Sequence, residues 1–351
     1  VTRSGSEPTP PAARIARVVL DSAPAHLEGP LDYLIPPGEP VHLGSRVEAV
    51  LAGRRMLGLV VDVVPGSDLD PARLRPLRRS LGAFAWVRSD ELDVLRWAAA
   101  RFAAPLGDVV RHALPRRGVD VERIAAREGW LPPDGPVDPA RTAAGRDRTP
   151  TASDVPPAWA AYGADGAELH AAAREGEGSW LWRPLPGEDV AERLGELVTA
   201  CLAGGRDALV IVPDPSSPTA AAVLAAVAAA GVEAVDLRGG PTPRAAYRAW
   251  LRCRAGRVRV AVGERGAAFL PLARLGLAVV LDEASPVHKE RRSPRHHVRE
   301  VLLERARRAG AVGLAVGAVP SAAATALVAA GRVRVVGGAA PSARAPRHRC
   351  R

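Results

Sequence analysis

The sequence predicts an α/β protein in two parts, a β-rich N-terminal domain followed by a doubly wound α/β lobe. Three observations carry this. Short Val/Leu runs broken by Gly and Pro fill residues 14–82, as in "RIARVVLDS", "GPLDYLIPPG" and "GSRVEAVLAGRRMLGLVVDVVPG". Beyond residue 158, apolar runs alternate with Ala-rich helical stretches, the signature of a mostly parallel sheet. The whole chain is 47% hydrophobic and 25% charged over 351 residues, enough for two or three cores.

Taken in order, residues 1–13 are a Pro/Ser/Thr-rich tail expected to be disordered. Residues 14–82 form the β domain. Residues 83–114 are helical: Ser89 is a suitable N-cap, Asp90 and Glu91 suit the first turn, and Leu92, Leu95 and Phe102 supply apolar positions. Pro105 stops that helix, and a short one follows to Leu114. Residues 115–157 are rich in Pro, Gly, Arg and Asp and read as linker. Residues 158–338 form the α/β lobe, with strands expected at 207–212, 232–236, 258–262, 277–281, 311–316 and 332–336. Residues 339–351 are a basic tail. No run of 18 apolar residues exists, so no membrane span is expected, and the first residues lack a secretory h-region.

The formal net charge is +10, almost all of it from arginine, because Lys289 is the only lysine. A basic surface points to a polyanion such as nucleic acid. The chain has neither Asn nor Gln, the side chains that grip adenine edges, so recognition of backbone or structure is expected rather than base readout. Three scattered cysteines, Cys201, Cys253 and Cys350, fit neither a disulfide framework nor a zinc knuckle.

"LGLAVVLDEASPVHKE" reads as a strand ending in Asp282 and Glu283, where a nucleoside triphosphatase holds magnesium and its water-activating base. Such a pair needs a phosphate cradle of the G-x-x-x-x-G-K-[ST] type. With one lysine, at 289, that motif cannot exist. At its expected place stands "SWLWRPLPGEDVAERL": Gly187 survives, but Pro184 and Pro186 withdraw backbone donors, and Glu188 and Asp189 would repel a triphosphate. Neither a catalytic residue nor a metal site is expected. Asp282 and Glu283 are expected to be inherited relics or to pair with Arg291 and Arg292, and His288, His296 and His297 lack ligand spacing.

These stretches, in this order, resemble the N-terminal half of the primosomal replication protein N-prime family over roughly residues 14–114 and 158–336. "GPLDYLIP", "GSRVEAVLAGRRMLGLVV" and "LRWAAARFAAPLGDVVRHALP" are similar to that family's 3′-end-binding domain and following helix. "ALVIVPDPS", "VGERGA" (262–267), "LDEASPVHKERRSPRHHVRE" and "VGAVPS" (316–321) resemble its helicase segments, with Glu264 replacing a threonine and Ala284-Ser285 replacing the end of DEEH. The resemblance implies a RecA-like lobe with a degenerate P-loop. By position it implies a DNA 3′-end pocket of Leu31, Asp32, Gly53 and Arg75, with Leu31 where the family has an aromatic residue.

Arg54, Arg55, Arg73, Arg75, Arg78 and Arg79 lie near that pocket in sequence and suit phosphate contacts. Gly187, Glu188, Asp189, Asp282 and Glu283 would be a degenerate nucleotide site. The implied function is structure-specific binding of forked DNA at a nascent 3′ end in replication restart, without helicase activity. The alternative is an ATP-dependent 3′→5′ DNA helicase. Implied partners are primosome and replicative-helicase-loading proteins, in a cytoplasmic, nucleoid-associated setting. No ATP or magnesium cofactor is expected. The second lobe and its zinc module are expected to be absent from this chain.

Overall fold

The computed structural model describes residues 14–21, 29–82, 84–132 and 155–337. The tails expected at 1–13 and 339–351 lie outside them. Described residues up to Ala99, with Pro105–Arg111, form one compact unit; Ala100–Ala104, His112–Pro132 and those from 155 onward form another.

The first unit is a six-stranded sheet of β1 (Ile15–Leu20), β2 (Leu31–Leu34), β3 (Arg46–Leu51), β4 (Arg54–Val64), β5 (Arg75–Pro76) and β6 (Arg79–Ser80), ordered β5-β2-β1-β4-β3-β6. The two edge strands are successive pieces of one segment. Between them the Leu77 N–H donates to the Leu34 carbonyl and the Arg78 N–H to the Glu48 carbonyl, each at 2.9 Å. Residues 75–80 therefore run from one edge of the sheet to the other and curl it shut, which leaves no long unpaired edge. Ala16, Val18, Tyr33, Val47, Ala49, Val60 and Leu77 fill the interior. Each fully buried Val or Leu contributes roughly 1.5–3 kcal/mol. The Tyr33 hydroxyl crosses that interior to the Val50 carbonyl at 3.2 Å, and burial raises its pKa.

The β3–β4 hairpin turns on Ala52 and Gly53, whose φ values are 48° and 77°. Two successive positive φ values match a two-residue turn whose twist suits antiparallel strands. Helix α1 (Ser89–Arg101) starts one residue earlier than Ser89 as cap requires: the Glu91 carboxylate takes the Arg88 N–H at 2.9 Å, so Arg88 holds the cap position. Helix α2 (Leu106–Ala113) follows. Within the span expected as linker, Val119–Arg127 form helix α3, with Val121 and Ala125 buried; residues 133–154 lie outside the described ones.

The second unit is built on seven parallel strands ordered β13-β7-β12-β11-β8-β10-β9. They are β7 (Gly178–Arg183), β8 (Asp207–Ile211), β9 (Ala234–Leu237), β10 (Val260–Gly263), β11 (Leu275–Leu281), β12 (Val312–Val316) and β13 (Arg334–Gly337). Helices α4 (Gly163–Glu175), α5 (Val190–Ala203), α6 (Pro218–Ala229), α7 (Pro243–Arg254), α8 (Val298–Ala309) and α9 (Ala322–Ala329) alternate with them. Ala208, Val210, Leu277, Val279, Leu281, Val312, Leu314 and Val316 belong to one core with Trp159, Leu194 and Leu197. The alternate positions face the opposite layer: a Cβ on Gly313 would meet Leu303 of α8 at 2.9 Å. Both faces of the sheet are thus covered, as a doubly wound lobe requires.

The expected strands are present with bounds shifted by at most two residues, and β7 is an addition. Its "GSWLWR" alternates, sending Trp180 and Trp182 into the core, and it lies inside the sheet between β13 and β12.

Candidate nucleic-acid interface and the altered nucleotide site

Cross-strand register organises the first unit's polar residues. Arg17 on β1 stands opposite Asp32 on β2 and opposite Asp62 on β4. Its guanidinium lies 3.6 Å from the Asp32 carboxylate and 3.5 Å from that of Asp62. The Ser67 hydroxyl donates to the other Asp32 oxygen at 2.5 Å. Asp32 is therefore oriented by two neighbours yet keeps free lone pairs, since a carboxylate can accept about four hydrogen bonds.

Arg75 is opposite Tyr33 on the adjoining strand, exposed, and its guanidinium makes no hydrogen bond or ion pair among the described residues. Leu31 is half-buried against the interior. Gly53 stands at the hairpin tip with open space where a Cβ would be. Register places Arg75 on the strand next to Leu31 and Asp32, on the face of Leu31 and Tyr33, while Asp32 turns to the other face with Arg17. Gly53 belongs to a separate turn that its own φ explains.

Sequence reasoning missed Arg17 and Ser67, the two residues that hold Asp32. A strand pairing of β1 with β2 could have flagged Arg17; Ser67 carries no local signal. It also missed Glu48, a buried carboxylate on β3. Arg78 lies 2.8 Å from it, Arg79 3.1 Å and Arg55 3.9 Å. Three of the six clustered arginines thus share one acidic partner.

In the second unit, β7 leads through Pro184 and Pro186 into α5. Gly187, at φ 79°, turns the chain. The Asp189 carboxylate caps α5, accepting the Ala191 N–H at 2.9 Å and the Glu192 N–H at 3.0 Å. Those first-turn donors are the ones a P-loop offers to phosphate, and here a carboxylate of the chain takes them. Glu188 accepts from Tyr162 and lies 3.7 Å from Arg193. Burial, with the Glu188 hydrogen bond second, pushes the Tyr162 hydroxyl up to about 12.

The acidic pair after β11 divides. Asp282, at φ 48°, is exposed and lines a cavity of about 790 Å³ together with Arg183, Ser217, Thr219 and Gly317. Glu283 is fully buried and ion-paired with Arg299 of α8. It also accepts the Ser321 N–H at 2.6 Å and the Ser321 hydroxyl at 2.9 Å. The expected pairing of this acidic pair with Arg291 and Arg292 is thereby corrected. The turn after β11 directs Glu283 inward, toward the start of α8 and α9, while Arg291 and Arg292 are exposed in the following loop.

The three histidines have other occupations. The His288 Nε2 is 2.8 Å from the Leu281 carbonyl, the His297 Nδ1 accepts the Arg299 N–H at 3.2 Å, and His296 sits against Phe269 and His112. The residues at this edge do not fit a magnesium-bound triphosphate. The helix donors are taken, the base position is ion-paired, and no lysine is available to the phosphates.

Among the described residues, no helix is long and apolar enough to cross a membrane. Sequence comparison matches residues 17–115 to the 3′DNA-binding domain (3′BD) of PriA. A probable replication restart protein PriA of Mycobacterium tuberculosis (strain CDC 1551 / Oshkosh) is 32% identical over 322 residues, 91% of this chain and 46% of that protein. One of Mycobacterium leprae (strain TN) is 32% identical over 332 residues, 92% of this chain and 48% of that protein. One of Deinococcus radiodurans is 38% identical over 145 residues, 40% of this chain and 16% of that protein. The chain spans about half the length of the mycobacterial relatives. Its β domain, its RecA-like lobe and these matches agree: the chain belongs to the PriA replication restart family and corresponds to that family's N-terminal portion.

Proposed function

We propose that the protein binds forked DNA at a nascent 3′ end during replication restart and does so without unwinding DNA. The observation that carries this reading is the Asp32 carboxylate. It is held by Ser67 and Arg17 on the strand that adjoins the exposed Arg75, inside the stretch similar to a 3′DNA-binding domain. An ionised carboxylate offers only acceptors, which suits a terminal 3′-hydroxyl and opposes a 3′-phosphate. An exposed arginine on the adjoining strand suits a phosphate of the same nucleic-acid strand. The Asp189 cap and the buried Glu283–Arg299 pair support a lobe that does not turn over ATP. In this reading the lobe is a scaffold, and primosome and helicase-loading proteins are its partners.

The test compares forks ending in a 3′-hydroxyl or a 3′-phosphate at moderate salt. A charge-assisted hydrogen bond contributes about 1.5–3 kcal/mol, so phosphate should weaken binding about tenfold or more. Asp32→Ala should erase that preference and leave general duplex affinity nearly unchanged. Equal binding of both ends by the wild type would reduce Asp32 to a strand residue and end this reading.

A further inference from the structure

Glu48 is the centre of an arrangement that the 3′-end pocket does not use. Its carboxylate is buried, with only 11% of the side chain exposed, while Arg55, Arg78 and Arg79 around it are 67%, 45% and 62% exposed. Arg78 and Arg79 approach different carboxylate oxygens, at 2.8 and 3.1 Å. Backbone register fixes the group: Arg79 stands opposite Glu48, and the Arg78 N–H donates to the Glu48 carbonyl at 2.9 Å. Arg55 comes from β4, the strand on the other side of β3. Three guanidiniums, from β4, from β6 and from the residue just before β6, are therefore gathered over one carboxylate, and their net charge stays at about +2. A basic surface made only by composition would spread such charges to lower their repulsion. Here the fold holds them together.

We infer that this arginine claw grips the sugar–phosphate backbone of the duplex behind the 3′ end, with Glu48 as its organiser. This rests on the proposed 3′-end reading for where the end lies. The segment that carries Arg75 beside the pocket also carries Arg78 and Arg79. Four residues of strand span at most about 13 Å, or roughly four base steps at 3.4 Å each. Guanidiniums already drawn to one carboxylate lose less freedom on meeting phosphate than three independent side chains would.

The decisive variant is Glu48→Gln, because two accounts predict opposite signs. It makes the protein more basic, so a mere basic face should bind DNA more tightly and with a steeper salt dependence. An organised claw should instead lose its geometry. The full chain is titrated against a duplex with a recessed 3′-hydroxyl, and against the same duplex carrying neutral methylphosphonates at the third to fifth linkages from that end. Expected for Glu48→Gln are affinity lower by about threefold or more and a log–log salt slope shallower by about one to two phosphate contacts, at ~0.9 per contact. The methylphosphonates should weaken the wild type and leave Glu48→Gln little changed.

Arg78→Gln and Arg79→Gln replace exposed side chains and test the claw if Glu48→Gln folds poorly. Each should remove about one contact from the slope. Tighter binding by Glu48→Gln, or unchanged slopes in both arginine variants, would overturn the inference. The 3′-hydroxyl preference should persist in all three variants. Its absence in the wild type would refute the end pocket alone, since the slope and methylphosphonate results do not depend on it.

Discussion

Glu283 and Arg299 form an ion pair in which the two side chains are 0% and 3% exposed, and Ser321 closes it from the start of α9. One carboxylate thus ties the end of β11 to α8 and α9, at the carboxyl edge of the parallel sheet. Removing one partner leaves a buried charge unpaired, which typically costs about 3–5 kcal/mol. Arg299→Ala should lower unfolding stability by that amount in urea titrations, and Ser321→Ala by less. A loss below about 1 kcal/mol for Arg299→Ala would mean that the pair is dispensable.

The altered P-loop leads to a second expectation. Asp189 spends its carboxylate on two helix amides, so Asp189→Ala should cost about 0.5–2 kcal/mol of stability, as loss of a helix cap does. It should create no nucleotide turnover, because no lysine reaches the phosphates. Phosphate release from ATP with forked DNA present is the measurement. Release above a protein-free blank that disappears in Asp282→Ala would contradict the scaffold reading.

Acid sensitivity is expected from His296. It is fully buried, its ring nitrogens have no hydrogen-bond partner among the described residues, and Phe269 and Phe102 pack at 5.3 and 6.4 Å. Burial, with the nearby His112 second, pushes its pKa down to about 3. The folded state therefore keeps the ring neutral, while an unfolded chain protonates it near pH 6.5. The stabilisation is fully present above about pH 6.5 and is lost as pH falls toward 3, by about 1.4 kcal/mol per pH unit. His296→Phe should flatten the stability–pH curve between pH 6 and 4. Parallel curves for variant and wild type would show that another group sets the acid limb.

Gly53 separates a turn role from a DNA role. Its φ of 77° makes Gly53→Ala strained by roughly 1–2 kcal/mol, although a Cβ there meets nothing within 4 Å. Stability should fall while the hydroxyl-over-phosphate preference stays. If that preference vanishes in a variant that remains folded at the assay temperature, the terminal nucleotide needs the space over Gly53. Binding and melting curves on the same preparation decide between the two.

What the sequence determined by itself was everything that depends on local period and on which chemistry is present at all. Short apolar runs marked most strands: continuous ones in the lobe, where both faces of the sheet are buried, and broken ones in the β domain. One lysine in the wrong place removed the phosphate cradle without any structure. The family resemblance was legible because it rests on ordered stretches across some three hundred residues.

Partners were decided by tertiary structure. Glu283 took Arg299, 16 positions away, rather than its nearer arginines, since a buried carboxylate pairs with the cation that the turn brings inside. Asp32 took Ser67, 35 positions on, and three arginines converged on Glu48 because β5 and β6 close the sheet. Strand β7 went unread for the same reason: Trp180 and Trp182 alternate over only six residues beside a Pro-rich turn, and their burial comes from strands more than a hundred residues later. Local pattern sets the element, but long-range register chooses each charge's partner, and only the folded chain contains that register.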